Sequence, residues 1–278
     1  MTAGGLPAPA VLEVVGRWRP NFLTGHAIAV YLFFYLPILT IFLFAFDPKP
    51  IPGWPIESLT VRWFGEGLQD PELLGAVWAS FWIAMVSAAL ATVLGIPAAM
   101  ALAWLPIPGK RAVMGLIVGP IIVPPIVLGL GLLLLFRQTP GLLGPLGVVV
   151  AHTTLNVAFS TLILYSRLLG FRRSLIEAAM DLGATELRTF LEVILPLSFP
   201  AIAAAFLLAF TGSFGEFVVA WFVAGFSRTL PIEIWTWLRY ILSPKINAIA
   251  TLIMIISITL SVTSQVWILR QARSAVRQ

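Results

Sequence analysis

The residues able to do chemistry are few and far apart. Glu216 is a lone acid in an apolar run, TGSFGEF, with Phe214 just before it and Trp221 just after. Gly212 and Gly215 weaken the helix there. A carboxylate at membrane depth is costly unless it pairs or meets water. Two roles stand open for it: attraction of an ammonium group on a cationic solute, with Trp221 or Phe214 as cation–π faces, or structural partnership with a cation or backbone amide. His152 and Asn156 lie four residues apart and so share one helix face, with Thr153 beside them. They read either as an interhelical hydrogen bond or as a polar station on a solute path.

What is missing excludes most enzymes. There is no cysteine, hence no disulfide, thiolate nucleophile or cysteine metal site. His26 and His152 lack the HExxH spacing of a zinc site, so no metal-ligating set and no catalytic residue is expected. No G-x-x-x-x-G-K-[ST] loop is present, and Gly109-Lys110 lacks both its preceding glycine and its following hydroxyl. The chain should therefore hold no cofactor of its own. A membrane enzyme would need clustered His, Asp, Glu, Ser or Cys within the spans, and none converge. An ion-coupled secondary transporter would need paired broken helices and intramembrane ions; Glu216 is a single acid and no internal repeat is evident.

The most polar long stretch is 174–197, SLIEAAMDLGATELRTFLEVILPL. Ser174 with Glu177 three residues on matches a capping box, which predicts a helix start. That helix runs through Ala178, Ala179 and Leu182 to Gly183, a residue able to take the left-handed conformation that ends helices. Thr185 then caps a second short helix through Thr189, and Pro196 falls in the first turn of the next span. The product is a helix–turn–helix elbow over 174–190. Its shallow apolar side (Ala178, Ala179, Leu182) and mixed-charge rim (Glu177, Asp181, Arg172, Arg173, Arg188) suit a groove on a soluble partner.

These residues need elements to carry them, and composition says which. Of 278 residues 59% are hydrophobic and 10% charged, with mean hydropathy +0.99, values that belong to an integral membrane protein. A spanning helix needs about 20 apolar residues. Six stretches qualify, at 26–46, 75–104, 112–136, 143–169, 197–224 and 246–269. The first is too long for a removable signal sequence. Basic residues set the orientation. Arg17, Arg19, Lys110, Arg111, Arg167, Arg172, Arg173, Arg188, Arg270, Arg273 and Arg277 fall on one side; Lys49, Arg62, Arg137, Arg228, Arg239 and Lys245 fall on the other. Both termini and the elbow are thus expected in the cytoplasm. The net charge of +5 follows this topology rather than a nucleic-acid patch.

The expected organisation is all-α: a tail over 1–25, one transmembrane domain over 26–270, and a tail over 271–278. The loop 47–74, rich in proline and then acidic, should lie along the outer membrane surface, with Trp54 and Trp63 at headgroup level. In the second span Ser87, Ala91, Gly95, Ala99 and Ala103 form a smooth face for close helix approach. The third span carries Pro120, Pro124 and Pro125, then Gly129 and Gly131; it is either a kinked helix lining a pathway or simply a bent one.

Within the elbow, EAAMDLGATELRTFLEVILPL resembles the EAA signature of inner-membrane permease subunits of binding-protein-dependent ABC importers. Glu177, Ala178, Ala179, Gly183, Ile194, Leu195 and Pro196 match it. The resemblance covers about residues 25–270 and is closest to the polyamine-type subfamily, through YSRLLGF at 165–171, FVVAWFVAG at 217–225, LPIEIW at 230–235 and SPKINAIATL at 243–252. Permeases for ferric iron, opines, 4-aminobutyrate or phosphonates are similar here.

The resemblance implies a coupling helix seated in a cleft of an ATPase subunit, with Glu177, Ala178, Ala179, Asp181, Gly183, Ala184, Leu195 and Pro196 at or beside the joint. It implies a second permease subunit, two ATPase subunits that bind ATP and Mg, an extracytoplasmic solute-binding protein, and a place in the bacterial inner membrane. A cation or amide paired with Glu216 would then sit on the companion permease. Polyamine-type relatives often show two adjacent acids where this chain has Gly215 and Glu216.

Overall fold

The structure, a computed structural model, describes residues 20–139, 141–240, 244–256 and 258–259. Every regular element among them is a helix. The chain divides into two compact units, Gln69–Ile241 and the combination of Met1–Leu68 with Leu242–Gln278.

In the first unit to be met along the chain, α1 spans Pro20–Phe44 and α2 Arg62–Leu68; the later apolar helix Lys245–Ile256 belongs with them. Ala45, Trp63 and Ala248 form its small core with Phe46 and Phe64. The carboxylate of Asp47, fully buried, gathers the loop by accepting from the Gly53 amide at 3.0 Å and the Lys49 amide at 3.1 Å. The Asp47 carbonyl accepts from the Trp63 indole at 2.6 Å. Trp63 is therefore a core residue rather than a headgroup anchor, because its N–H has an internal partner; Trp54 stays exposed.

The second unit starts with α3, Pro71–Trp104, where the Asp70 carboxylate accepts from the Glu72 and Leu73 amides and Pro71 lacks the amide that would otherwise be orphaned. It packs along α6, Pro145–Leu169. Ser87, Ala91, Gly95 and Ala99 are buried on the expected face and Ala103 is half-buried. A Cβ on Gly95 would come within 3.0 Å of the Ser160 Cβ and 3.2 Å of the Thr161 amide nitrogen, so the glycine sets how near the two backbones lie.

Between them the chain forms α4, Lys110–Ile122, and α5, Pro125–Phe136, bent from one another by 99°. Pro124 forces Val123 out of the helical region and Pro125 does the same to Pro124; both residues are extended, with ψ of 128° and 133°. The third span is thus broken, beyond any ordinary kink. After α6 come α7, Arg173–Asp181, and α8, Glu186–Gly215, followed by α9, Val218–Val223, and α10, Leu230–Tyr240. α3, α6 and α8 make the central packing, with Ala88, Ala91 and Ala209 fully buried where they meet.

Among the described residues four helices are long and apolar enough to cross a membrane: Phe22–Phe44, Pro71–Trp104, Pro145–Leu169 and Glu186–Gly215. The pair α4 and α5 would make a fifth. The fifth expected stretch stops at Gly215 rather than 224, because the chain breaks at Glu216 before α9. The sixth, 246–269, is described only through 259, where Lys245–Ile256 is a shorter apolar helix. Its remainder, most of the tail 1–25 and all of the tail 271–278 lie outside the described residues.

Candidate coupling elbow and solute path

α7 begins at Arg173 with Arg172 as its cap residue and no side-chain cap bond. The expected capping box at Ser174 does not form, because Ser174 is already inside the first turn, where its own amide and hydroxyl no longer sit at the cap. The far end follows the expected chemistry. Gly183 has φ +83°, its amide donates to the Met180 carbonyl at 2.9 Å, and the Ala184 amide reaches the Ala179 carbonyl at 3.0 Å. This paired closure of the last carbonyls requires a left-handed residue at Gly183. The Thr185 hydroxyl then accepts from the Arg188 amide at 3.3 Å and starts α8.

The second elbow helix is not separate from the fifth span. The first α-turn of α8, Glu186–Thr189, runs into one π-turn at Phe190–Ile194, in which the Leu195 amide donates five residues back to the Phe190 carbonyl. Pro196 explains the wider turn: it has no amide for the Glu192 carbonyl and its ring would clash with that oxygen in a regular helix. Pro196 thus lies inside a continuous helix.

Glu177, Ala178, Asp181 and Gly183 are exposed, while Ala179 and Ala184 are half-buried. Leu182 at the tip is 89% exposed, with Leu175, Met180 and Leu187 also open. Behind this surface Ile176 packs into a cluster with Phe171, Phe190, Val193 and Ile194, continuous with Ala99 and Trp104 of α3 and Leu164 and Leu168 of α6. The elbow is therefore seated on the helices it follows.

At the opposite end of α6 lies the break that carries Glu216. Its carboxylate accepts from the Val219 amide at 2.6 Å, a contact that caps α9. The amide partner foreseen for Glu216 on another subunit is here one in its own chain. The residue is half-buried, and its second carboxylate oxygen has no bonded partner among the described residues. Phe214 and Trp221 do not form one box around it. Phe214 ends a stacked ladder with Phe206 and Phe210, whereas Trp221 tilts against Phe217, which also meets Trp235.

His152 is 1% and Asn156 5% exposed, so both are enclosed between helices. His152 Nδ1 and the Ser213 hydroxyl share a hydrogen bond of 2.7 Å, and Asn156 donates to the His152 carbonyl at 2.8 Å. Sequence reading missed Ser213, although a serine flanked by Gly212 and Gly215 in an apolar run was a usable signal. It also missed Arg167, whose partner is a main-chain carbonyl that no pattern marks. Among the described residues no group of His, Asp or Glu is placed to hold a metal ion.

Residues 91–275 match the family of binding-protein-dependent transport system inner membrane components. The chain belongs to this family. It is 34% identical over 254 residues, 91% of this chain and 94% of the relative, to the spermidine/putrescine transport system permease protein PotC of Escherichia coli (strain K12). It is 37% identical over 236 residues, 81% of this chain and 82% of the relative, to the putrescine transport system permease protein PotI of the same strain. Two solved structures share the fold. A bacterial ABC transporter involved in import of the acidic polysaccharide alginate aligns with TM-score 0.64 at 18% identity, covering 95% of this chain and 99% of that one. The MetNI methionine ABC transporter aligns with TM-score 0.58 at 21% identity, covering 70% and 94%. As a permease subunit the chain is a multi-pass membrane protein whose task is passage of a solute.

Proposed function

We propose that this permease subunit takes a small organic amine of the polyamine type across the bacterial inner membrane, receiving it from an extracytoplasmic binding protein. A companion permease completes the pathway and two separate ATPase subunits supply ATP hydrolysis. In this reading the chain crosses six times with both termini in the cytoplasm. The exposed elbow carries the proposal: an apolar tip at Leu182, held in shape by the closure at Gly183, is a surface made to be covered by another protein. Glu177, Ala178, Ala179, Asp181, Gly183 and Ala184 form the face that enters the ATPase cleft, and Leu195 and Pro196 shape the joint behind it. ATP binding draws the elbows of the two permeases together and turns the pathway outward.

For the solute, support comes from the names of the relatives and from Glu216, a half-buried carboxylate with one oxygen left for an ammonium group. Phe214 and Trp221 flank the break as separate aromatic surfaces, and His152 and Asn156 stand behind it. A second reading keeps the importer and makes the solute one with a single ammonium group, such as 4-aminobutyrate; Gly215, where a second acid would double the charge, favours it.

The test is reconstitution of the whole complex in proteoliposomes with its binding protein. ATP-dependent uptake of labelled putrescine or spermidine is expected. Failure of ATPase subunits to copurify, or uptake that ignores ATP, would overturn the importer; ATP-driven uptake of other amines alone would overturn the polyamine.

A further inference from the structure

Ser213 differs from the threonines of α6 and α8 whose hydroxyls bond within their own helix. Thr153, Thr161 and Thr211 each donate four residues back, to Val149, Val157 and Leu207, the usual outlet for a hydroxyl inside a helix. Ser213, 3% exposed, bonds instead across to His152 on α6, 61 residues away in the chain. One residue earlier, a Cβ on Gly212 would lie 2.9 Å from the Asn156 Oδ1. α6 thus meets the last turn of α8 at two successive residues, through the buried side chains of His152 and Asn156. His152 Nε2 has no partner among the described residues, so the Nδ1 bond alone orients the ring.

The three residues after Ser213 make this contact more than glue. The Glu216 amide donates to the Ser213 carbonyl at 3.4 Å, the helix stops, and the Glu216 carboxylate is turned onto the Val219 amide. Ser213 is therefore the last residue of α8 with a side-chain tie to another helix before the carboxylate. We propose that His152 is a positioning residue for Glu216: through Ser213 it sets where the broken end of α8 presents its charge. The inference rests on the reading of Glu216 as counter-charge to a cationic solute. It assigns His152 an indirect role, since the ring itself is enclosed and cannot touch the solute in this arrangement.

The experiment measures ATP-dependent uptake of putrescine by the reconstituted complex at saturating binding protein, alongside complex yield and basal ATP hydrolysis. Ser213→Ala, which deletes only the hydroxyl, and His152→Leu should each lower uptake about three- to tenfold, the worth of one buried hydrogen bond. Their combination should be no worse than either alone. In a Glu216→Gln background neither should lower uptake further. His152→Asn, whose amide can occupy the place of Nδ1, should restore most of the loss. Losses that multiply with Glu216→Gln, an unaltered rate for Ser213→Ala, or no rescue by His152→Asn would overturn the proposal. If Glu216→Gln alone is silent, the counter-charge reading fails, and that result is separate from the other three. Should His152→Leu fail to assemble, the Ser213→Ala and His152→Asn arms still decide.

Discussion

The Arg167 guanidinium donates to the main-chain carbonyl of Leu197 at 2.8 Å. The last turn of α6 thereby holds the start of the membrane part of α8, bridging the two ends of the elbow from behind. Arg167 also lies 5.7 Å over the Phe171 ring, and Phe171 is a buried member of the cluster beneath α7. Arg167→Leu keeps an apolar stem and removes both ties. The expected cost in stability is modest, about 1 kcal/mol for one hydrogen bond, but transport per ATP hydrolysed should fall. Measuring uptake and hydrolysis together checks this; an unchanged ratio would show that the tie is not used in coupling.

Gly183→Asp should leave the protein in the membrane and weaken its hold on the ATPase. At φ +83° a side chain costs roughly 1 kcal/mol or more, and the new charge enters the docking face. Copurified ATPase and solute-stimulated hydrolysis should both drop. Normal values for both would remove the coupling role from the elbow.

Glu216 allows charge and shape to be separated. Glu216→Gln retains an oxygen for the Val219 amide, so α9 stays capped, while the charge is lost. Uptake of a cationic solute should fall with the complex intact. Glu216→Ala loses the cap as well, worth about 1 kcal/mol, and should lower thermal stability too. A Gln variant that destabilises the assembly by several kcal/mol would point instead to a buried cation on the companion subunit left unpaired.

Gly95→Val should loosen the central packing. Its Cβ meets the Ser160 Cβ at 3.0 Å and the Thr161 amide at 3.2 Å, and such overpacking costs about 1–3 kcal/mol. Gly115→Ala, with nothing within 4 Å of the new carbon, serves as control and should be neutral or slightly stabilising. Thermal unfolding of the purified complex in detergent separates the two; equal midpoints would mean that α3 and α6 do not meet closely at Gly95.

The elbow was legible because its chemistry is local. Gly183 and Thr185 announce a turn and a cap within their own few residues, and both do what their types allow. Ser174 misled because a capping box also depends on where the preceding chain enters, and Arg172 takes the extended conformation first. Hydropathy identified the long spans but ran the fifth through to 224, since Phe217, Val218 and Val219 are as apolar as the helix before them and a break leaves no mark in an average. The prolines at 120, 124 and 125 signalled an interruption without its size; 99° comes from two successive residues being forced extended. The bond from His152 to Ser213 depends on the packing of α6 on α8, and the bond from Arg167 to Leu197 on a backbone oxygen, so neither has a local sequence sign.

The π-turn at Phe190–Ile194 inserts one residue into an otherwise regular helix, and one residue is about 100° of rotation. The angular phase of the elbow's surface is therefore offset from that of the apolar part of the same helix. Removing one exposed residue of that turn, Leu191 or Glu192, would leave the Gly183 closure outside the change yet swing the elbow's exposed face about a quarter turn around the axis. For the coupling role proposed above, one residue that touches neither solute nor nucleotide would set which face of the elbow an ATPase meets.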